Sequence, residues 1–238
     1  MMVRKIAVNV ARLVIAMTFI LSGFVKAVDP LGTQYKIDDY LKAMQLGTFV
    51  PDFLTLTASV LLSAVEFGLG ICMLFAIRRR LVSLLALCMM IPMTALTLWL
   101  AVANPVTDCG CFGDAVTLTN WQTFTKNVVL LGCAAIVRYR PLDMMRFVSK
   151  TNQWIVTNYS MLFIFAVSAW SLYDLPQFDF RPYHVGTNIL KGMEIPEGAE
   201  MPTFETTYLM EKDGKRQTFD IDHYPDSTWT LIEANTRQ

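Results

Sequence analysis

Two cysteines separated by one glycine form the most reactive string in this chain, Asp108-Cys109-Gly110-Cys111-Phe112-Gly113-Asp114. A disulfide between cysteines so close in sequence closes a small ring, and Gly110 is the residue whose conformational freedom lets the backbone bend that far. Such a ring is strained, and strained disulfides are the more oxidising, exchange-competent ones. A clip this short constrains almost no chain entropy, which favours redox exchange over stapling. Two other chemistries stay open: a purely structural cysteine pair, and a metal site completed by the tail. Zinc asks for four ligands, usually Cys or His. The two histidines, His184 and His223, both lie far along the chain, and no metal is expected.

Four charged residues are candidates to support the pair. Lys26 and Lys126 fall at its level, where an ammonium lowers a thiol pKa and favours the thiolate; the plainer reading is two solvated lysines at the membrane rim. Asp108 and Asp114 oppose the effect, because carboxylates raise a thiol pKa. Arg12 and Glu66 fall inside apolar segments, where charge is expensive and marks function by default. Their depths differ by about 9 Å at 1.5 Å per helical residue, a gap that a long arginine partly bridges. A structural ion pair is the first expectation for them and a proton-handling site the second. Cys72, Cys88 and Cys133 lie near the opposite face, roughly 8–12 Å from arginine-bearing turns, and read as small buried hydrophobes.

The elements that must position these residues are membrane spans. The chain of 238 residues is 54% hydrophobic and 17% charged, with a mean hydropathy of +0.41. That excludes disorder for the bulk of the chain. The 20 basic and 20 acidic residues cancel without a basic stripe, which disfavours nucleic acid as a partner. The zero net charge hides a division: +6 up to Tyr173 and −6 from Asp174 onward. Apolar segments run over Ile6–Val25, Phe53–Ile77, Leu81–Ala103, Trp121–Val137 and Trp154–Tyr173, each near the length a bilayer requires. The fourth is the weakest, since Lys126 and Asn127 stand near its start. The first is not followed by a small-x-small cleavage site or a lipobox cysteine, so it is expected to remain as a span.

Arg78, Arg79 and Arg80 fill one short connection and Arg138, Arg140, Arg146 and Lys150 another, whereas Asn104–Asn120 carries no Lys or Arg. By the positive-inside rule the N-terminus and the arginine-rich loops face the cytoplasm, and the cysteine loop and the tail face outward, where disulfides form. Trp99, Trp121, Trp154 and Trp170 are expected as interfacial anchors. Gly23, Gly68, Gly70 and Gly132 are expected at close helix contacts. Ile37, Tyr40, Leu41 and Met44 recur at helical spacing in the first outer loop, predicting a short helix that caps the bundle. In the tail, Thr203–Met210 and Arg216–Ile221 read as strands around a turn at 212–215, and the prolines make the remainder loop-like.

Arg12, Phe19, Gly23, Lys26 and Asp29-Pro30, followed by Tyr40, resemble the opening of the DoxX/MauE superfamily of small membrane proteins. Glu66 with Gly70, and the Cys109-Gly110-Cys111-Phe112-Gly113 string, resemble its MauE branch; the likeness covers about residues 6–140. It implies a four-helix membrane bundle tied to thiol or sulfur redox chemistry. DoxX-type members are linked to thiosulfate:quinone oxidation, and MauE-type members to maturation of a disulfide-rich methylamine dehydrogenase. The architecture is also similar to that of quinone-linked disulfide-forming proteins and vitamin K epoxide reductase, which use a CxxC and a second outer pair where this chain has one CxC. A membrane quinone as cofactor rests on this resemblance. The fifth span and acidic tail resemble longer members found in Bacteroidetes, which often continue further outside the membrane.

The expected fold is an all-α membrane bundle of four helices over residues 1–140, a cytoplasmic loop and fifth transmembrane helix over 141–173, and a small β-containing outer tail over 174–238. The expected function is thiol–disulfide redox chemistry in a bacterial inner membrane. Cys109 and Cys111 are the reacting pair, exchanging with an extracytoplasmic thioredoxin-fold or other thiol protein. The alternative is a non-enzymatic subunit or assembly factor of a larger envelope complex, docked through the tail.

Overall fold

The computed structural model describes residues 2–44, 50–104, 106, 110–116, 118–174, 176, 178, 180, 186–188, 205–212, 215–220, 225 and 228–237. The chain forms two compact units, Met1–Thr187 and Asn188–Gln238.

The first unit is helical: α1 (Met2–Val28), α2 (Pro30–Ala43), α3 (Asp52–Leu74), α4 (Arg79–Ala103), α5 (Asn120–Tyr139) and α6 (Gln153–Tyr173). Among the described residues four helices are long and apolar enough to cross a membrane: α1, α3, α4 and the stretch Lys150–Tyr173 that contains α6. The fourth expected span does form a helix, α5, but it is not among those four. Its polar residues explain why. Asn120, Thr123 and Asn127 are buried, and Asn127 Nδ2 donates to Thr97 Oγ1 of α4 at 3.2 Å. They dilute the hydropathy of α5 while facing the protein.

α1 and α3 approach closely because two glycines stand at their crossing. A Cβ on Gly23 would lie 2.5 Å from the backbone nitrogen of Phe67 and 2.8 Å from the Ser63 carbonyl. A Cβ on Gly70 would lie 2.8 Å from the Ile20 nitrogen. Gly132, expected at such a contact, has no atom within 4 Å of that position. α1 continues past Val25 to Val28, and one residue, Asp29, separates it from α2. Asp29 caps α2 by accepting the Gly32 N–H at 2.9 Å, with Pro30 at the first helical position where no N–H is needed. The apolar stripe of α2 is half-buried at Ile37, Tyr40 and Leu41, and Met44 is exposed.

The core includes Val8, Ile15, Phe19, Met73, Ala86, Met90, Leu130 and Val137, from four helices. At the arginine-rich end, the segment after α5 is tied down from two sides. Arg4 pairs with Asp143 at 3.0 Å, and Arg79 donates to the carbonyls of Leu142 and Met144 at 2.6 and 2.9 Å. In the second unit β1 (Glu205–Lys212), β2 (Lys215–Asp220) and β3 (Thr230–Arg237) form an antiparallel sheet in the order β2-β1-β3. Strands are found over both predicted stretches, and β3 is an addition in a region expected to be loop. Met210 is buried there, and Phe219 packs edge-on against Trp229 at 5.0 Å.

Candidate functional site

The loop bearing the cysteines is pinned at its base. Asn104 ends α4 in a left-handed conformation, and a capping box between Thr119 and Gln122 starts α5. Asn120 Nδ2 donates to Asn104 Oδ1 at 2.8 Å and to the Val106 carbonyl at 2.9 Å, closing the two ends on each other. Within the loop, Gly110 and Gly113 take φ of +59° and +52°, conformations that side chains rarely adopt. Space is short as well: a Cβ on Gly110 would meet Lys36 Cγ of α2 at 2.9 Å, and one on Gly113 would meet Val25 Cγ1 at 3.2 Å. The loop therefore lies against both α1 and α2. Lys126 of α5 sits 4.2 Å above the Phe112 ring, a cation–π contact holding the loop from another side.

Beneath the loop is a buried charge pair. Lys26 Nζ lies 2.7 Å from each carboxylate oxygen of Glu66, and both side chains are 4% exposed. Ser22, one turn before Lys26, accepts from its ammonium at 3.0 Å. The Ser22 hydroxyl also stands 2.7 Å from Glu66 Oε2 and 2.8 Å from the Cys111 carbonyl. A hydroxyl has one proton, so Ser22 donates either to the carboxylate or to the carbonyl. The packing of α1 on α3 through Gly23 and Gly70 brings Ser22, Lys26 and Glu66 to one level.

These residues border a cavity of about 30 Å³, which Cys111, Lys126, Asn127, Met89 and Met93 also line. That is room for one or two waters, with polar partners to hold them, and far too little for an organic ring. Larger apolar space lies elsewhere: Phe24, Val28, Phe163, Trp170 and Phe178 wall a groove of about 360 Å³.

The expected residues separate into three groups. Gly110, Cys111, Lys26, Lys126 and Glu66 come together. Cys109 and Asp108 lie outside the described residues, as do His184 and His223. Arg12 is elsewhere: its Nη1 donates to the Met145 carbonyl at 2.5 Å, and its guanidinium lies 5.1 Å over the Phe147 ring. The expected Arg12–Glu66 pairing is therefore replaced by Lys26–Glu66, because α1 continues through Lys26 and carries that ammonium inward. Lys26 is accordingly a buried, neutralised partner rather than a solvated rim lysine. Among the other cysteines, Cys72 and Cys133 are half-buried and Cys88 is exposed, so the expectation of burial fails for Cys88. Ser22 was missed. Its signal was the i, i+4 spacing to Lys26 on the face that also carries Phe19 and Gly23. No group of three or more His, Cys, Asp or Glu side chains gathers among the described residues.

Comparison with known proteins gives two family matches. The model of the methylamine utilisation protein MauE matches residues 4–140, more than half of the chain. The model of a domain of unknown function matches residues 204–238, the stretch containing the sheet. No curated protein and no solved structure matches the chain.

Proposed function

The chain belongs to the family of the methylamine utilisation protein MauE, and from that premise we propose that it is a multi-pass protein of a bacterial inner membrane that carries out thiol–disulfide exchange. In this reading α1, α3, α4 and α5 form a four-helix bundle and α6 is a fifth spanning helix. The arginine-rich turns face the cytoplasm, and Cys109 and Cys111 face outward.

The reacting partner is an extracytoplasmic thiol protein, of thioredoxin fold or another. A partner thiolate attacks one sulfur of the Cys109–Cys111 disulfide, and the second partner thiol resolves the mixed disulfide. The partner leaves oxidised, and the pair is left as two thiols, having gained two electrons and two protons. A membrane quinone is the proposed cofactor, and when bound it supplies a sink for two electrons and two protons. Its residues would be Phe24, Phe163, Trp170 and Phe178, which offer ring faces and, at Trp170, an indole N–H for a carbonyl oxygen.

The observation that carries the reading is the position of the Ser22 hydroxyl, 2.7 Å from Glu66 Oε2 and 2.8 Å from the Cys111 carbonyl. It fastens the cysteine loop to a buried Lys–Glu pair, an arrangement costly to bury and out of proportion for holding an inert surface loop. The test is to trap the redox state of Cys109 and Cys111 by alkylation in cells before and after quinone depletion. Accumulation of the dithiol is expected; an unchanged ratio overturns the redox role.

The separate sheet unit supports a second reading, in which the protein is a non-enzymatic assembly factor or subunit docked through its tail. Full activity of a Cys109→Ser/Cys111→Ser variant, with stable recovery in a large envelope complex, would select it.

A further inference from the structure

A second feature lies at the opposite end of the helices, away from the cysteine loop. α4 and α6 stand apart over α3 and leave a trough between them. Its wider part has a volume of about 520 Å³, walled by Val65, Leu69, Leu81, Leu85, Trp154 and Met161. A second chamber of about 430 Å³ shares Val65, Leu69 and Leu85 with it and extends to Leu61 and Met89. From Leu61 to the end of α3 at Leu74 is about 20 Å at 1.5 Å per residue. That exceeds one leaflet of a hydrocarbon core roughly 30 Å thick.

The trough is polar at one end only. Arg78 and Lys150 border its mouth, with Gln153, Thr157 and Asn158 beside them. Both cations are exposed, and among the described residues neither forms a side-chain hydrogen bond or an ion pair with a carboxylate. Their charges are therefore available to a ligand. Trp154, 62% exposed at the same end, is the residue type that settles at the headgroup level.

We propose that this trough is a binding site for an anionic phospholipid, with one acyl chain along α3 between α4 and α6 and the phosphate between Arg78 and Lys150. The charge complementarity at the mouth selects an anionic headgroup over a zwitterionic one. A neutral quinone would leave both cations unused. The site is independent of the thiol chemistry proposed above, and its test does not use that chemistry.

Cys72 provides a reporter, because it lines the trough and its sulfur lies 3.9 Å from Thr157 Oγ1. The delipidated full chain in mild detergent would be titrated with phosphatidylglycerol, and alkylation at Cys72 followed by peptide mapping. Phosphatidylglycerol is expected to slow alkylation, whereas phosphatidylcholine, glycerol phosphate and inorganic phosphate at equal concentration are not. An Arg78→Glu/Lys150→Glu variant should need at least about 25-fold more phosphatidylglycerol, since losing each cation near an anionic headgroup costs roughly fivefold and the reversed charges add repulsion. Leu81→Trp, at an exposed position in the apolar wall, should weaken protection without changing the headgroup preference. Equal protection by phosphatidylcholine or by a quinone would overturn the proposal. So would protection by inorganic phosphate without lipid, or an unchanged phosphatidylglycerol requirement in the charge-reversed variant.

Discussion

Lys26 and Glu66 meet through both carboxylate oxygens, each 2.7 Å from the ammonium, at a place where neither side chain is more than 4% exposed. Such a pair gains its Coulomb energy against a desolvation penalty of similar size, so its net contribution is small while its loss is not. Lys26→Met leaves a buried carboxylate and Glu66→Gln a buried ammonium. Each is expected to destabilise the protein by roughly 3–5 kcal/mol. The double variant Lys26→Met/Glu66→Leu should recover much of that, since apolar replacement of both partners removes the stranded charge. Unfolding in mixed micelles measures all three, and simple additivity would show that the two charges do not depend on each other.

Ser22 connects that pair to the cysteine loop. Ser22→Ala removes the hydroxyl that stands 2.8 Å from the Cys111 carbonyl and leaves both charges in place. A carbonyl without its donor costs about 1–3 kcal/mol locally. Amide hydrogen exchange over residues 110–116 is therefore expected to accelerate at least about fivefold, with exchange in the middle of α1 and α3 unchanged. Equal protection in the variant would mean that Lys126 on Phe112 and the Asn120–Asn104 closure hold the loop without the serine.

The cysteine string, Glu66 and the apolar helices were legible because each is a local signal: residue type, spacing or a run of hydropathy. The partner of Glu66 was not. Depth counted from the ends of apolar runs placed Lys26 outside α1, since a charge ordinarily marks the end of a span. The register between α1 and α3 is set by two glycines meeting backbone, which no single-helix pattern encodes. Lys26 remains helical and inward because Glu66 stands opposite it. α5 illustrates the same limit: Asn120, Thr123 and Asn127 read as interruptions until α4 supplies their environment. β3 was missed because its alternation, Leu231, Glu233 and Asn235 against Ile232, Ala234 and Thr236, is weak without β1 as its neighbour.

The glycine contacts allow a paired comparison. Gly23→Ala forces a methyl to within 2.5 Å of the Phe67 nitrogen, so α1 and α3 must separate. Overpacking of this kind costs about 1–3 kcal/mol. Gly132→Ala meets nothing within 4 Å and should stabilise α5 by up to about 1 kcal/mol through helix propensity. Thermal unfolding in detergent should therefore move in opposite directions for the two substitutions. A shared direction would count against the α1–α3 crossing.

Arg12 has a different duty from the one its depth suggested. It is 1% exposed, yet its charge is answered by a backbone carbonyl, Met145, and by the face of Phe147 rather than by a carboxylate. Asn9 works beside it, accepting the Met145 N–H at 3.0 Å and donating to the Asp143 carbonyl at 3.2 Å. Together they clamp the segment after α5 to α1. Arg12→Lys keeps the charge but loses the planar stack and the reach of the guanidinium, so the change is not conservative. A hydrogen bond to a charged group contributes about 1.5–3 kcal/mol, so opening of this segment should become at least about tenfold more frequent. Arg146, exposed within it, supplies the readout as a trypsin site. Cleavage after Arg146 is expected to accelerate by that factor in Arg12→Lys and further in Arg12→Met, while hydrogen exchange in the cysteine loop stays unchanged. Cleavage at the wild-type rate in both variants would show that Arg4 and Arg79 suffice to hold the segment. An accompanying change at the cysteine loop would instead mean that Arg12 is coupled to Glu66 after all.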